Sequence, residues 1–162
     1  MNEYSELALV EQPAVALLGE LGWETTNCFC EQFGPRGTLG RETKSDVVLV
    51  DRLRTALEKL NPGLDAEAIR LAIEELTRDR SVMSLAAANR EVYQLLKNGV
   101  HVTVKAEDEE TTETVRVIDW SEPNNNDFFL ASQFWVAGRP ASPRRGSGPK
   151  QNGSEGPCTA GC

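Results

Sequence analysis

Leu95-Leu-Lys-Asn-Gly-Val-His-Val-Thr-Val-Lys105 is where the chain changes its period. Before Gly99 the apolar residues Leu85, Ala88, Val92, Leu95 and Leu96 recur at three- and four-residue steps, the spacing of one helix face. After it Val100, Val102 and Val104 alternate with His101, Thr103 and Lys105, which is the spacing of a strand with one buried face. Asn98-Gly99 is a helix stop, so helix and strand meet with almost no loop between them.

Helical patterns fill the sequence upstream. A first helix from near Ser5 carries Leu7, Val10, Ala14, Leu17, Leu18 and Leu21. Pro13 is comfortable only if its main part starts near Glu11. Gly22 stops it, and Trp23 to Cys30 reads as a short extended segment. A glycine-punctuated loop, Phe33-Gly-Pro-Arg-Gly-Thr-Leu-Gly-Arg-Glu-Thr-Lys44, follows. Ser45 is the expected cap of a second helix bearing Val48, Leu49, Leu53, Leu57 and Leu60. Asn61-Pro-Gly breaks it, Asp65 caps a third, and Ser81 or Ser84 caps the fourth. The short connections predict a compact helical cluster.

Downstream, Val115 and Val117 alternate with Thr114, Arg116 and Ile118, and the acidic run Glu107-Asp-Glu-Glu110 is the expected hairpin loop. A third apolar strand runs from Phe128 to Val136 after the turn-rich Ser121-Glu-Pro-Asn-Asn-Asn-Asp127. Helices first and strands later predict an α+β fold: an N-terminal helical cluster, then an antiparallel hairpin and a third strand. Residues 139–162 hold no Val, Ile, Leu, Met, Phe, Tyr or Trp and are rich in Gly and Pro, so they are expected to be a disordered tail. The domain is expected to be residues 1–138.

The totals exclude several classes. At 40% hydrophobic and 26% charged, the composition is that of a globular protein, and no stretch has the length and apolarity of a membrane span. The acidic N-terminus lacks the basic region of a signal peptide, which predicts a cytoplasmic protein. Net charge is −8, and the basic tail leaves residues 1–138 more acidic still, giving no electrostatic footprint for nucleic acid. Cys28, Cys30, Cys158 and Cys162 lack Cys-x-x-Cys spacing and are expected to be incidental thiols rather than a zinc site.

Chemistry-bearing motifs are few. No Gly-x-x-x-x-Gly-Lys-Ser/Thr occurs, so no P-loop is available for a nucleotide. His101, the single histidine, is expected on the solvent side of a strand with no nucleophile near it. Glu42-Thr-Lys44 is a Glu-x-Lys, the fragment with which metal-dependent nucleases hold Mg²⁺ and stabilise developing charge. That chemistry needs an Asp on a preceding strand, yet the first Asp is Asp46 and the surroundings are a loop. Asp119 and Asp127, at strand ends, are expected to form turns.

Several longer words carry a resemblance: Leu21-Gly-Trp23, Leu39-Gly-Arg-Glu42, Leu53-Arg-Thr-Ala-Leu-Glu-Lys-Leu-Asn-Pro-Gly63, Glu75-Leu-Thr-Arg-Asp-Arg80, Asn89-Arg-Glu-Val-Tyr93, Val115-Arg-Val-Ile-Asp-Trp120 and Gln133-Phe-Trp-Val136. Together, over about residues 4–138, they resemble the N-terminal region of the R (restriction and motor) subunit of type I restriction-modification enzymes. The resemblance implies a PD-(D/E)xK nuclease domain, followed in the family by an ATP-driven motor that uses Mg²⁺ and ATP. It also implies partners: the modification (methyltransferase) and specificity subunits, and DNA.

In the family the strand resembling Gln133-Phe-Trp-Val136 is followed by a Pro-Asp strand and then a Glu-x-Lys strand. After Gly138 this sequence has neither, so the expectation is an incomplete nuclease domain. No catalytic, cofactor-binding or metal residue is assigned, and no cofactor is expected on this chain. A shifted reading frame is expected to account for residues 139–162. The other frames of the encoding DNA after the Gly138 codon would then contain both missing strands. The alternative reading is a non-catalytic interaction module docking on a restriction complex.

Overall fold

The computed structural model describes residues 6–106 and 109–137, in an α+β architecture of four helices and two small sheets. The expected tail, residues 139–162, lies outside the described residues, as do Glu107 and Asp108 of the acidic run. The chain divides into two compact units, Val48–Phe128 and the segments on either side of it.

In the flanking unit a π-helical turn, Leu7–Glu11, leads into α1, Gln12–Glu20. Pro13 is the second residue of α1, directly after the π-helical turn, so the irregular backbone lies just upstream of the ring that cannot donate to the helix ladder. Gly22, at φ +88°, turns the chain out of the helix. β1, Glu24–Asn27, pairs in parallel with β4, Phe129–Ser132, with Glu24 opposite Phe129 and Asn27 opposite Ser132. The expected third strand is thus shorter than its apolar run. Gln133 takes φ +54° and ends it, so Phe134–Val136 leave the ladder.

The inner unit holds α2, Val50–Leu60, α3, Ala66–Thr77, α4, Leu85–Asn98, β2, Val100–Ala106, and β3, Glu109–Val115. α1 groups with β1 and β4, whereas α2–α4 belong with the hairpin. Asp65 caps α3 by accepting from the Glu67 N–H at 3.4 Å, and Ser84 caps α4 by accepting from the Ala87 N–H at 3.3 Å. Ser45 does not cap α2. Its neighbour Asp46 accepts from the Thr43 N–H at 2.8 Å, which closes a separate turn, and the helix begins only at Val50.

β2 and β3 are antiparallel, Val100 facing Val115 and Lys105 facing Glu110. Glu109 and Glu110 are strand residues rather than loop, because this register carries β3 back to Glu109. α3 lies on the hairpin, and Ala68, Ile69, Ala72 and Ile73 join Leu57, Val100, Val102 and Val115 in one buried core. Gly99 sits at φ +82°, and a Cβ there would lie 2.8 Å from the Val115 carbonyl oxygen, so the helix-to-strand corner needs glycine. Asn61 ties the end of α2 to the exit of β3: its side chain accepts from the Arg116 N–H at 2.8 Å and donates to the Arg116 carbonyl at 2.9 Å.

Candidate functional site

The glycine loop carries a buried cation, Arg41. The residue is 3% exposed, and its guanidinium donates from Nε to Glu31 at 2.6 Å and is paired with the second Glu31 oxygen through Nη2. Nη2 also donates to the Trp135 carbonyl at 2.8 Å, and Nη1 to the Asp46 carbonyl at 3.2 Å. The cation lies 3.9 Å from the centre of the Phe134 ring and 5.2 Å from that of Phe33. The Ala137 N–H donates to the Lys44 carbonyl at 2.9 Å. Beside this cluster Cys28 is buried, and burial first, then the Glu31 carboxylate, pushes its thiol pKa up. Such a thiol is a packing residue rather than a nucleophile.

A second polar centre forms around Asp119. Its carboxylate accepts from the N–H groups of Ser121 and Glu122, both at 3.1 Å, and from the Asn125 side chain at 3.0 Å. Asn126 closes the loop by accepting from the Asp119 N–H at 2.8 Å. The Asn125 amide, then the Glu122 N–H, hold Asp119 below the usual carboxylate range. Asp119 is thus a turn former, and the loop displays Trp120 at 61% exposure. Asp127 forms an ion pair with Arg52, at 2.5 and 2.7 Å, instead of a turn contact.

Because the Asp119 carboxylate ionises more readily in the folded loop than in the unfolded chain, its contribution is complete above the ordinary Asp pKa of about 3.9. It is lost as pH falls through the lower folded value. We therefore expect the amide resonances of Ser121 and Glu122 to shift together on acidification, with a midpoint below about 3.9. In Asp119→Ala the hydrogen-bonded positions should be absent at every pH. A midpoint at or above the ordinary value would contradict this account.

The remaining sequence candidates do not converge. Glu42 and Lys44 are exposed on a turn, and Asp46 is held by Thr43. His101 is on the open face of the hairpin, its Nδ1 2.8 Å from the Thr114 hydroxyl. Among the described residues no group of three or more His, Cys, Asp or Glu is placed to hold a metal ion. Among the described residues the candidates Asp46, Asp119 and Asp127 already serve protein donors and do not come together, so they do not fit Mg²⁺, and the sequence has no Gly-x-x-x-x-Gly-Lys-Ser/Thr cradle for ATP. Arg41 is what sequence reasoning missed: beside Glu42 it reads as part of a polar loop, and only the fold brings Phe134 and Trp135 to it.

Buried charge and turn geometry also explain the longer words of the sequence. Arg80, in Glu75-Leu-Thr-Arg-Asp-Arg80, donates to the Glu75 carbonyl at 2.8 Å and to Glu91, on α4, at 2.9 Å. Arg78 and Arg80 together hold Glu91 below the usual carboxylate range. These words encode the framework of a domain, with no assembled reaction centre among the described residues. The family model described as the type I restriction enzyme R protein N terminus matches residues 3–146, and the chain belongs to that family.

It is 31% identical over 140 residues to the type I restriction enzyme HindI endonuclease subunit of Haemophilus influenzae, covering 83% of this chain and 13% of that protein. It is 30% identical over 96 residues to the putative type I restriction enzyme MjaIXP endonuclease subunit of Methanocaldococcus jannaschii, covering 59% of this chain and 9% of that one. This chain thus spans a small fraction of the length of these relatives. No solved structure matches it. Among the described residues no helix is long and apolar enough to cross a membrane.

Proposed function

We propose that the chain forms the N-terminal part of a PD-(D/E)xK-type nuclease domain in a type I R subunit, and that by itself it neither cuts DNA nor hydrolyses ATP. The observation that carries this reading is the fate of its carboxylates. Glu31 serves Arg41, Asp46 serves Thr43, Asp119 serves its own loop and Asp127 serves Arg52. None is left as a pair that could place Mg²⁺, and without the metal neither the attacking water nor the developing charge is provided for. The acidic composition argues for weak or no binding of DNA by these residues. A cytoplasmic setting, among modification and specificity subunits, goes with this reading.

Purified chain incubated with supercoiled plasmid, Mg²⁺ and ATP should leave the plasmid intact and release no phosphate. Metal-dependent nicking that disappears in Glu42→Ala would overturn the proposal and return Glu42-Thr-Lys44 to a catalytic role.

A second reading, a docking module, is favoured by the apolar side chains that the inner unit exposes, Leu85, Tyr93 and Trp120 among them. Co-purification with the modification and specificity subunits would support it, and its absence would count against it.

A further inference from the structure

α1 rests on β1 and β4, yet none of its residues is buried. Val15 and Leu18 are half-buried. Val10 of the π-helical turn, Leu17 of α1 and Leu21, its C-terminal cap, are 61%, 56% and 67% exposed. With the exposed Ala14 they stand at successive steps of four, three and four residues, which makes one apolar stripe along the outside of the helix. A surface helix ordinarily turns such a stripe toward a core. The rim of this stripe is acidic: residues 6–23 contain Glu6, Glu11 and Glu20 and neither lysine nor arginine. Glu11 accepts from the Gln133 side chain at 2.6 Å. Glu6, one turn ahead of Val10, and Glu20, one turn past Leu17, are exposed and have no cation partner among the described residues.

We propose that this stripe docks an amphipathic helix of another polypeptide, one whose own apolar stripe is flanked by lysine or arginine. A helix fits because steps of three and four are the seam along which two helices interdigitate, whereas a strand repeats at every second residue. The basic flank follows from charge complementarity with Glu6 and Glu20. A second copy of this chain does not fit, since two such helices would set acidic rims against each other. An anionic lipid surface fails on the same ground, because helices that lie on membranes carry lysine and arginine on the polar face.

The test adds a capped peptide, three repeats of Lys-Leu-Ala-Ala-Leu-Lys-Ala, to the full chain and follows the amide resonances of Val10, Ala14, Leu17 and Leu21. Binding at about 1 mM or tighter is expected, and the same peptide with glutamate for every lysine should bind at least about tenfold more weakly. Leu17→Gln, with its circular dichroism unchanged, should weaken binding of the lysine peptide about tenfold. The paired change Glu6→Lys with Glu20→Lys should reverse the preference, so that the chain takes the glutamate peptide instead.

Equal binding of both peptides, or no shift of these amides at about 1 mM, would overturn the proposal. So would a preference for the lysine peptide that survives the paired change, because the attraction would then belong to the chain's net charge of −8 rather than to α1. Self-association that Leu17→Gln abolishes would assign the stripe to a second copy. Movement of these amides on vesicles of phosphatidylcholine and phosphatidylserine would assign it to a membrane, and either result overturns the proposal. The peptide reads α1 and the subunit pull-down reads the docking module of the inner unit, so each can fail without the other.

Discussion

Arg41→Met is expected to destabilise the flanking unit by about 3–5 kcal/mol, the usual cost of removing one partner from a buried ion pair. Methionine restores most of the volume and the contact with Phe33 and Phe134, so lost packing contributes little. What remains is the Glu31 carboxylate, its side chain 4% exposed, with no cation to face it, and the Trp135 carbonyl without its donor. Urea unfolding followed by tryptophan fluorescence measures the loss, since Trp23 and Trp135 both belong to this unit. The paired change Arg41→Met with Glu31→Leu should recover most of it, because a buried charge pair replaced as a pair costs little. A single-variant loss below about 1 kcal/mol would show that the pair is not a structural centre.

The second large effect is expected in the inner unit. Ile69→Ala should cost about 2–5 kcal/mol, because Ile69 is 2% exposed and belongs to the core that joins Leu57 of α2 to Val100, Val102 and Val115 of the hairpin. Ala68 and Ala72 are the smallest members of that core, so little side chain is available to move into the space. Leu85→Ala provides the contrast. Leu85 is among the most exposed apolar residues, and its removal should stay within about 0.5 kcal/mol. Chemical unfolding monitored by helical circular dichroism distinguishes the two, and equal losses would refute the assigned core.

Local signals were legible in the sequence, and distant ones were not. Asp65, Ser84 and Gly99 act within a few residues of where they stand, and each does what its chemistry predicts. The start of α2 misled for a local reason too: Val48 and Leu49 fall on the helical spacing, but Asp46 prefers the Thr43 turn. The β1–β4 ladder was out of reach. Each strand has four residues, the pairing is parallel, and no turn between them announces it. Arg41 was opaque for the same reason, since the rings and the carbonyl that bury it come from Phe33, Phe134 and Trp135. The resemblance named the family without these details, because its words include framework residues such as Arg41, Arg80 and Asp119.

The β1–β4 ladder also sets an order of events on the ribosome. Glu24 meets its partner only after Phe129 has been made, about a hundred residues later, whereas the Val48–Phe128 unit contains all of its own core. At about 5–20 residues per second, the first strand waits roughly 5–20 s for the fourth. The last residue of the inner core, Val115, is made before β4 begins, whereas the flanking unit has no ladder until Phe129–Ser132 are made. A chain cut after Phe128 would therefore keep every residue of the hairpin core while Arg41 lacked its aromatic partner Phe134.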